Sequence, residues 1–359
     1  MTAQHEIRLK TVMRQAGSIA ILVLLIMVIT RSALACSFHT YKPAITLVDR
    51  ILESQTLVLA RQSKETAFRF RITSILQGDV KDPEIPFLVD STTRHRLEKN
   101  AHDSILFALD GKGNWRFLSY IDVDRKRLLD MVLQRAGMWR SQTHHPDRLE
   151  KLSIYLNHSN QDLHNLALQE IDRVPYETLS ALKVSVPVER LLTSLKSARD
   201  YQYEPINTLL LGLSRTPEAG PYLRQQIARM RQNLPIRSLG AVATALIEVE
   251  REQGIQHLNR LFLVDRNQPM DKVETVVQAM AIHSKLGSHQ LRRTIDETLV
   301  GFVRRRPVGA GAVARQFSAY QNWFIGPQLE AILESGTQLT PATRLQVAIY
   351  IAQSKASRK

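Results

Sequence analysis

Cysteine is almost absent: among 359 residues there is one, Cys36. A single thiol excludes an intramolecular disulfide, a multi-cysteine zinc site and a Cys/Cys redox pair. Phosphate-loop glycines are missing too. The nearest stretch, Val308-Gly309-Ala310-Gly311-Ala312, follows three arginines and a proline with no strand before it, so it reads as a turn between helices. There is no G-x-S-x-G elbow and no H-E-x-x-H. The eleven histidines are scattered; His158 and His164 flank one turn, His283 and His289 another, as surface or cap residues do. Glu248, Glu250 and Glu252 crowd along one helix, too close to act as an acid/base pair across a cleft. These absences nominate no catalytic residue, no metal ligands and no cofactor, and they point away from an enzyme. Acid is scarce relative to base: 34 Asp and Glu face 48 Lys and Arg, for a formal charge of +14. The excess is spread along the chain, densest at Arg304-Arg305-Arg306, as on a solvated basic surface.

No apolar run is long enough for a standard membrane span. The longest, Ile19 to Ile29, falls short of the roughly 20 residues a spanning helix needs. Its setting matters more than its length. Arg8, Lys10 and Arg14 precede it against Glu6, and Ser32-Ala33-Leu34-Ala35-Cys36 follows Arg31. A positive start, a short apolar core and a small-residue site form an export signal, with Ala33 and Ala35 as the A-x-A match. Cleavage after Ala35 makes Cys36 the first mature residue. A Cys there resembles a bacterial lipoprotein site, where the thiol is lipidated, although Ala33 stands where that pattern prefers Leu. The leader admits three outcomes: lipidation of Cys36, plain cleavage, or an uncleaved anchor. Outside the cytosol the polyanions on offer are membrane headgroups or acidic proteins, not nucleic acid.

The length predicts two domains. After Cys36 a short helix is expected over Pro43 to Glu53, from Ile45, Leu47, Val48, Ile51 and Leu52. The period then changes to two. Thr56 to Arg61 and Thr66 to Ser74 read as strands, the second with Phe68, Phe70 and Ile72 on one face. Ile85 to Val89 is expected as a third, edge strand because of Pro86. Asp103 to Leu109 and Trp115 to Ile121 complete five, the last two joined by the turn Asp110-Gly111-Lys112-Gly113-Asn114. Five short strands and a helix predict a small barrel of the OB type.

The order Cys36-Ser37-Phe38, helix, Leu57-Val58-Leu59-Ala60, Phe68-Arg69-Phe70-Arg71-Ile72, Ile75-Leu76-Gln77-Gly78-Asp79 and Ile105-Leu106-Phe107-Ala108 resembles bacterial netrin-like domains. Those are similar to the tissue inhibitors of metalloproteinases. The resemblance implies an OB fold. It also implies a second role, in which a free amine at Cys36 chelates a protease zinc. The family pins that residue with disulfides that this chain cannot form, and acylation of Cys36 would block the amine.

A helix is expected over Asp124 to Trp139, then a loop over Ser141 to Pro146 holding His144-His145, adjacent side chains that rarely converge on a metal without further ligands. Beyond it helical spacing dominates. Leu149, Leu152, Ile154, Tyr155 and Leu156 precede Leu163, Leu166, Ala167 and Ile171, and similar pairs follow, from Val188 to Leu195 with Ile206 to Leu213 through to Ala342 to Ala352. Thr216-Pro217 and Thr340-Pro341 place caps before first-turn prolines. The pairs resemble HEAT-type repeats, whose apolar faces stack into a solenoid; a closed helical bundle is the alternative.

The sequence thus predicts an α+β chain: leader or anchor over 1–35, netrin-like unit over 36–122, linker over 123–146, HEAT-like α-solenoid over 147–353, basic tail over 354–359. The expected function is a non-enzymatic envelope protein, held on a membrane through Cys36 or the leader. Its solenoid would bind a protein partner, with anionic headgroups as a further contact. The alternative is a metalloprotease inhibitor working through Cys36.

Overall fold

The computed structural model describes residues 45–357 apart from 67, 143–144 and 233–237. The expected roles of Ala33, Ala35, Cys36 and His144 lie outside the described residues. The chain is mixed α+β and divides into two compact units, residues 43–172 and residues 173 onward.

The first unit opens with α1 (Leu47–Glu53), where the Thr46 hydroxyl caps Asp49 and the Asp49 carboxylate returns to the Thr46 amide. Four strands follow, interrupted by one helix: β1 (Thr56–Gln62), β2 (Phe70–Gln77), α2 (Ser91–Lys99), β3 (Ser104–Leu109) and β4 (Trp115–Ile121). All pair antiparallel in the order β2-β1-β3-β4. The unit closes with α3 (Val123–Ser141), α4 (Pro146–Ser153) and α5 (Gln161–Ile171).

The expected fifth strand and closed barrel give way to an open four-stranded sheet. Among the described residues, the stretch Ile85 to Val89 makes a single bridge, Arg69 to Leu88. Pro83 and Pro86 remove ladder donors. Ile85 and Val89 nevertheless bury their side chains, so the segment clings to the sheet by its apolar residues without joining it. The helix α2, capped by Asp90 and anchored by Leu97, was not foreseen: its run Ser91-Thr92-Thr93-Arg94-His95-Arg96 carries almost no apolar signal.

Each sheet face has its own core. Leu57, Leu59, Leu106, Ala108 and Ile121 pack on α1 and α3, and this cluster extends to Leu152, Leu163 and Leu166 of α4 and α5. The opposite face gathers Val58, Ala60, Ile105, Phe107 and Tyr120 under Ile85 and Leu97. The turn before β4 forms as expected: Asp110 accepts from the amides of Lys112 and Asn114, each at 2.9 Å, and Gly113 supplies a φ of +82°.

The second unit is helical throughout its described residues: α6 (Tyr176–Ala181), α7 (Val188–Lys196), α8 (Glu204–Leu213), α9 (Ala219–Arg231), α10 (Leu239–Glu250), α11 (Glu252–Leu258), α12 (Met270–Leu286), α13 (His289–Arg305), α14 (Ala310–Ala319), α15 (Gly326–Glu334) and α16 (Pro341–Ala356). Alternate helices pack on one another. The series α8, α10, α12, α14, α16 forms one row, while α11, α13 and α15 pack in sequence beside it. The row helices are apolar on nearly every face, α10 being buried from Leu239 to Glu248, because each is flanked by two row neighbours and a partner helix. Among the described residues, no helix is long and apolar enough to cross a membrane.

Candidate functional site

The row helices end in tight corners. The chain leaves α8 at Arg215 with φ +52°, α10 at Arg251 with φ +55° and α14 at Gln321 with φ +54°. Glycine usually fills such positions because it has no Cβ to clash. Two neighbouring corners carry arginine instead, at the cost of backbone strain.

These corners border a cavity of about 290 Å³ that opens to solvent. Glu248, in the last turn of α10, lies at its base and is buried. The Arg215 Nε donates to Glu248 Oε1 at 2.8 Å, and the Tyr176 hydroxyl donates to Oε2 at 3.0 Å. Arg251 Nη1 stands 4.0 Å from Oε1. His283 of α12 brings Nδ1 to 3.7 Å from Oε2. Ser180, Leu286 and Gly287 complete the wall. Packing sets this geometry. Gly212 lets α8 close on Ala245 of α10, and Gly254 lets α11 fold back against Leu246.

Electrostatics assign the protons. The His283 Nε2 lies 3.0 Å from the Thr244 carbonyl, which only accepts, so Nε2 carries the hydrogen. Burial drives the His283 pKa down to about 4, against the pull of Glu248 and the Thr244 carbonyl. The ring is therefore neutral near pH 7 and no ion pair with Glu248 forms there. Burial, then the charge and hydrogen bond of Glu248, hold the Tyr176 hydroxyl far above the ordinary phenol range. Tyr176 thus stays a proton donor. Both oxygens of Glu248 are committed to the protein, so it serves as an anchor for Arg215. The Arg215 side chain is 65% exposed and that of Arg251 37%, leaving two guanidinium groups facing solvent.

Sequence reading had set Glu248 aside as one of a helical run and His283 as a cap residue. The structure separates Glu248 from Glu250, which pairs with Arg224, and brings His283 and Tyr176 to it from distant elements. The one local signal is a carboxylate inside an otherwise apolar helix. His164 is buried, with Nδ1 2.7 Å from the Leu156 carbonyl. His145 caps α4, accepting from the Asp147 amide. Among the described residues, no group of three or more His, Cys, Asp or Glu is placed to hold a metal ion.

No known protein family, curated protein or solved structure matches this chain. The class the fold defines is an α+β protein with an open antiparallel sheet in one unit and stacked helices in the other.

Proposed function

We propose that this chain is a non-enzymatic cell-envelope protein, exported by its leader and held on a membrane through Cys36, whose helical unit binds a protein partner. The observation that carries the reading is the pair of solvent-facing arginines, Arg215 and Arg251, over a buried Glu248 whose oxygens are both engaged. A free carboxylate beside a neutral histidine would suit proton transfer. A committed carboxylate under exposed guanidinium groups suits recognition, since Arg forks fit carboxylates on a partner's surface. The single row of helices supports reading the unit as a HEAT-like array. The sheet unit, with its export context, remains compatible with a netrin-like origin.

Two measurements test this. Mass spectrometry of the mature N-terminus is expected to show an acylated Cys36; a free amine there would favour the inhibitor role instead. Crosslinking in intact envelopes is expected to yield one dominant adduct that the double substitution Arg215→Glu, Arg251→Glu abolishes and Arg293→Glu leaves in place. An adduct equally strong in all three proteins would refute the assignment of the site.

A further inference from the structure

The outer face of the sheet in the first unit is incompletely covered. Phe107 of β3 sits at its centre, fully buried. Phe87 stacks on it at 5.6 Å between centroids, and Phe117 of β4 meets it edge-on at 6.0 Å. Both outer rings remain exposed, Phe117 at 50%. The segment that crosses this face without joining the sheet adds Leu88, 67% exposed, through its bridge to Arg69. Phe68 holds a φ of +66°, a conformation that a bulky residue rarely adopts, and its ring is also exposed. Isolated apolar residues on a surface need no explanation; rings sharing one central contact make a patch.

The rim of this patch is basic. On α2, Arg94 lies over the Phe68 ring at 5.3 Å and Arg96 over the Tyr120 ring at 3.7 Å. His95 and Lys99 share that helix, and Glu98, paired with Arg94, is its only acid. Arg69 is drawn toward Glu84, but that pair is wide at 3.7 Å and exposed. Arginine stacked on aromatic rings at the border of an apolar patch is the arrangement of a membrane-surface contact. Rings enter the boundary between headgroups and acyl chains while guanidinium groups meet lipid phosphates.

We infer that this face, built from Phe68, Phe87, Leu88 and Phe117 with Arg94 and Arg96 at its rim, docks onto an anionic phospholipid surface. Charge complementarity selects that occupant: a second copy would set the same basic helix against itself. The inference deepens the membrane association proposed above, since a tether brings the unit to a bilayer and this face orients it there.

Trp115 provides the probe. It lies on the Phe107 face of β4, whereas Trp139 is fully buried and Trp323 packs on Tyr350 in the helical unit. The full chain is mixed with vesicles of brominated phosphatidylglycerol, and separately with brominated phosphatidylcholine. Because the tether holds every variant on the vesicle, quenching of Trp115 rather than attachment is read. Phosphatidylglycerol is expected to quench the emission, phosphatidylcholine much less, and Trp115→Phe to remove the quenched component. Phe117→Ser, Leu88→Ser and the pair Arg94→Gln, Arg96→Gln are each expected to cut quenching at least fivefold while circular dichroism stays unchanged. Equal quenching by both lipids, persistence in the Phe117→Ser and Leu88→Ser variants, or self-association that Phe117→Ser abolishes would overturn the inference. An acylated Cys36 with unquenched Trp115 would sink this face and leave the tether standing; a free Cys36 with quenched Trp115 would do the reverse.

Discussion

Gly212 of α8 and Ala245 of α10 touch so closely that a Cβ on the glycine would lie 2.6 Å from the Ala245 Cα. The obstacle is backbone, so no side chain can swing aside. The contact sets the separation of the two helices whose ends carry Arg215 and Glu248. Gly212→Ala is therefore expected to push the helices apart and cost about 1–3 kcal/mol, the range for overpacking a filled core. Thermal denaturation measures it, and a melting temperature equal to wild type would show that the helices separate freely.

His283 gives stability a pH dependence of definite sign. Its folded pKa, lowered by burial to about 4, lies below the ordinary value. Between that value and about 6.5 the unfolded chain binds a proton that the folded chain refuses, so stability is lost as pH falls through this window. The full effect is on the order of 3 kcal/mol. Urea titrations at pH 7.5, 5.5 and 4.5 are expected to show the decline, and His283→Asn to flatten it. A decline of unchanged slope in that variant would assign the dependence to other groups.

Asp296 of α13 shifts the other way. Burial raises its pKa to about 6, with Arg292 opposing and Glu297 assisting, and its Oδ1 has no hydrogen-bond partner. A carboxyl raised in the folded state contributes most below its unfolded value, and stability is lost as pH rises toward and through 6. Asp296→Asn is expected to stabilise the protein by about 1 kcal/mol at pH 8, solvent screening taken into account, and to change nothing at pH 3.5. Equal effects at both pH values would exclude the ionisation as cause.

Arg148 of α4 is almost wholly enclosed. Its Nη2 donates to Asp49 at 2.7 Å and to Glu170 Oε1 at 2.8 Å, and its Nε donates to Glu170 Oε2 at 3.0 Å. Burial works against its charge, but Glu170 and Asp49 more than restore it. Removing the cation strands two buried carboxylates, so Arg148→Met is expected to cost about 3–5 kcal/mol. Chemical denaturation reads this directly; a loss under 1 kcal/mol would mean that water reaches the carboxylates.

Much of the local structure was legible. The alternation in Thr56-Leu57-Val58-Leu59-Ala60 and the Asp110 to Asn114 turn are short-range patterns, and the structure has strands and a turn there. The strand expected from Thr66 begins instead at Phe70, after the positive φ of Phe68. The segment from Ile85 to Val89 misled because its apolar spacing suits a strand, while two prolines deny it a ladder. In the candidate site, Glu248 and His283 were visible as residues but not as neighbours, since nothing local encodes that α10 and α12 abut.

Sequence alone determined the apolar periodicities, the caps and the turn chemistry, because those depend on residues within a few positions of each other. Tertiary structure decided that the sheet stays open, that Tyr176, Arg215 and His283 converge on Glu248, and that rings meet around Phe107 with arginines at their border. Each of these is a meeting of groups far apart in the chain, selected by which apolar faces bury together and which buried charges find partners.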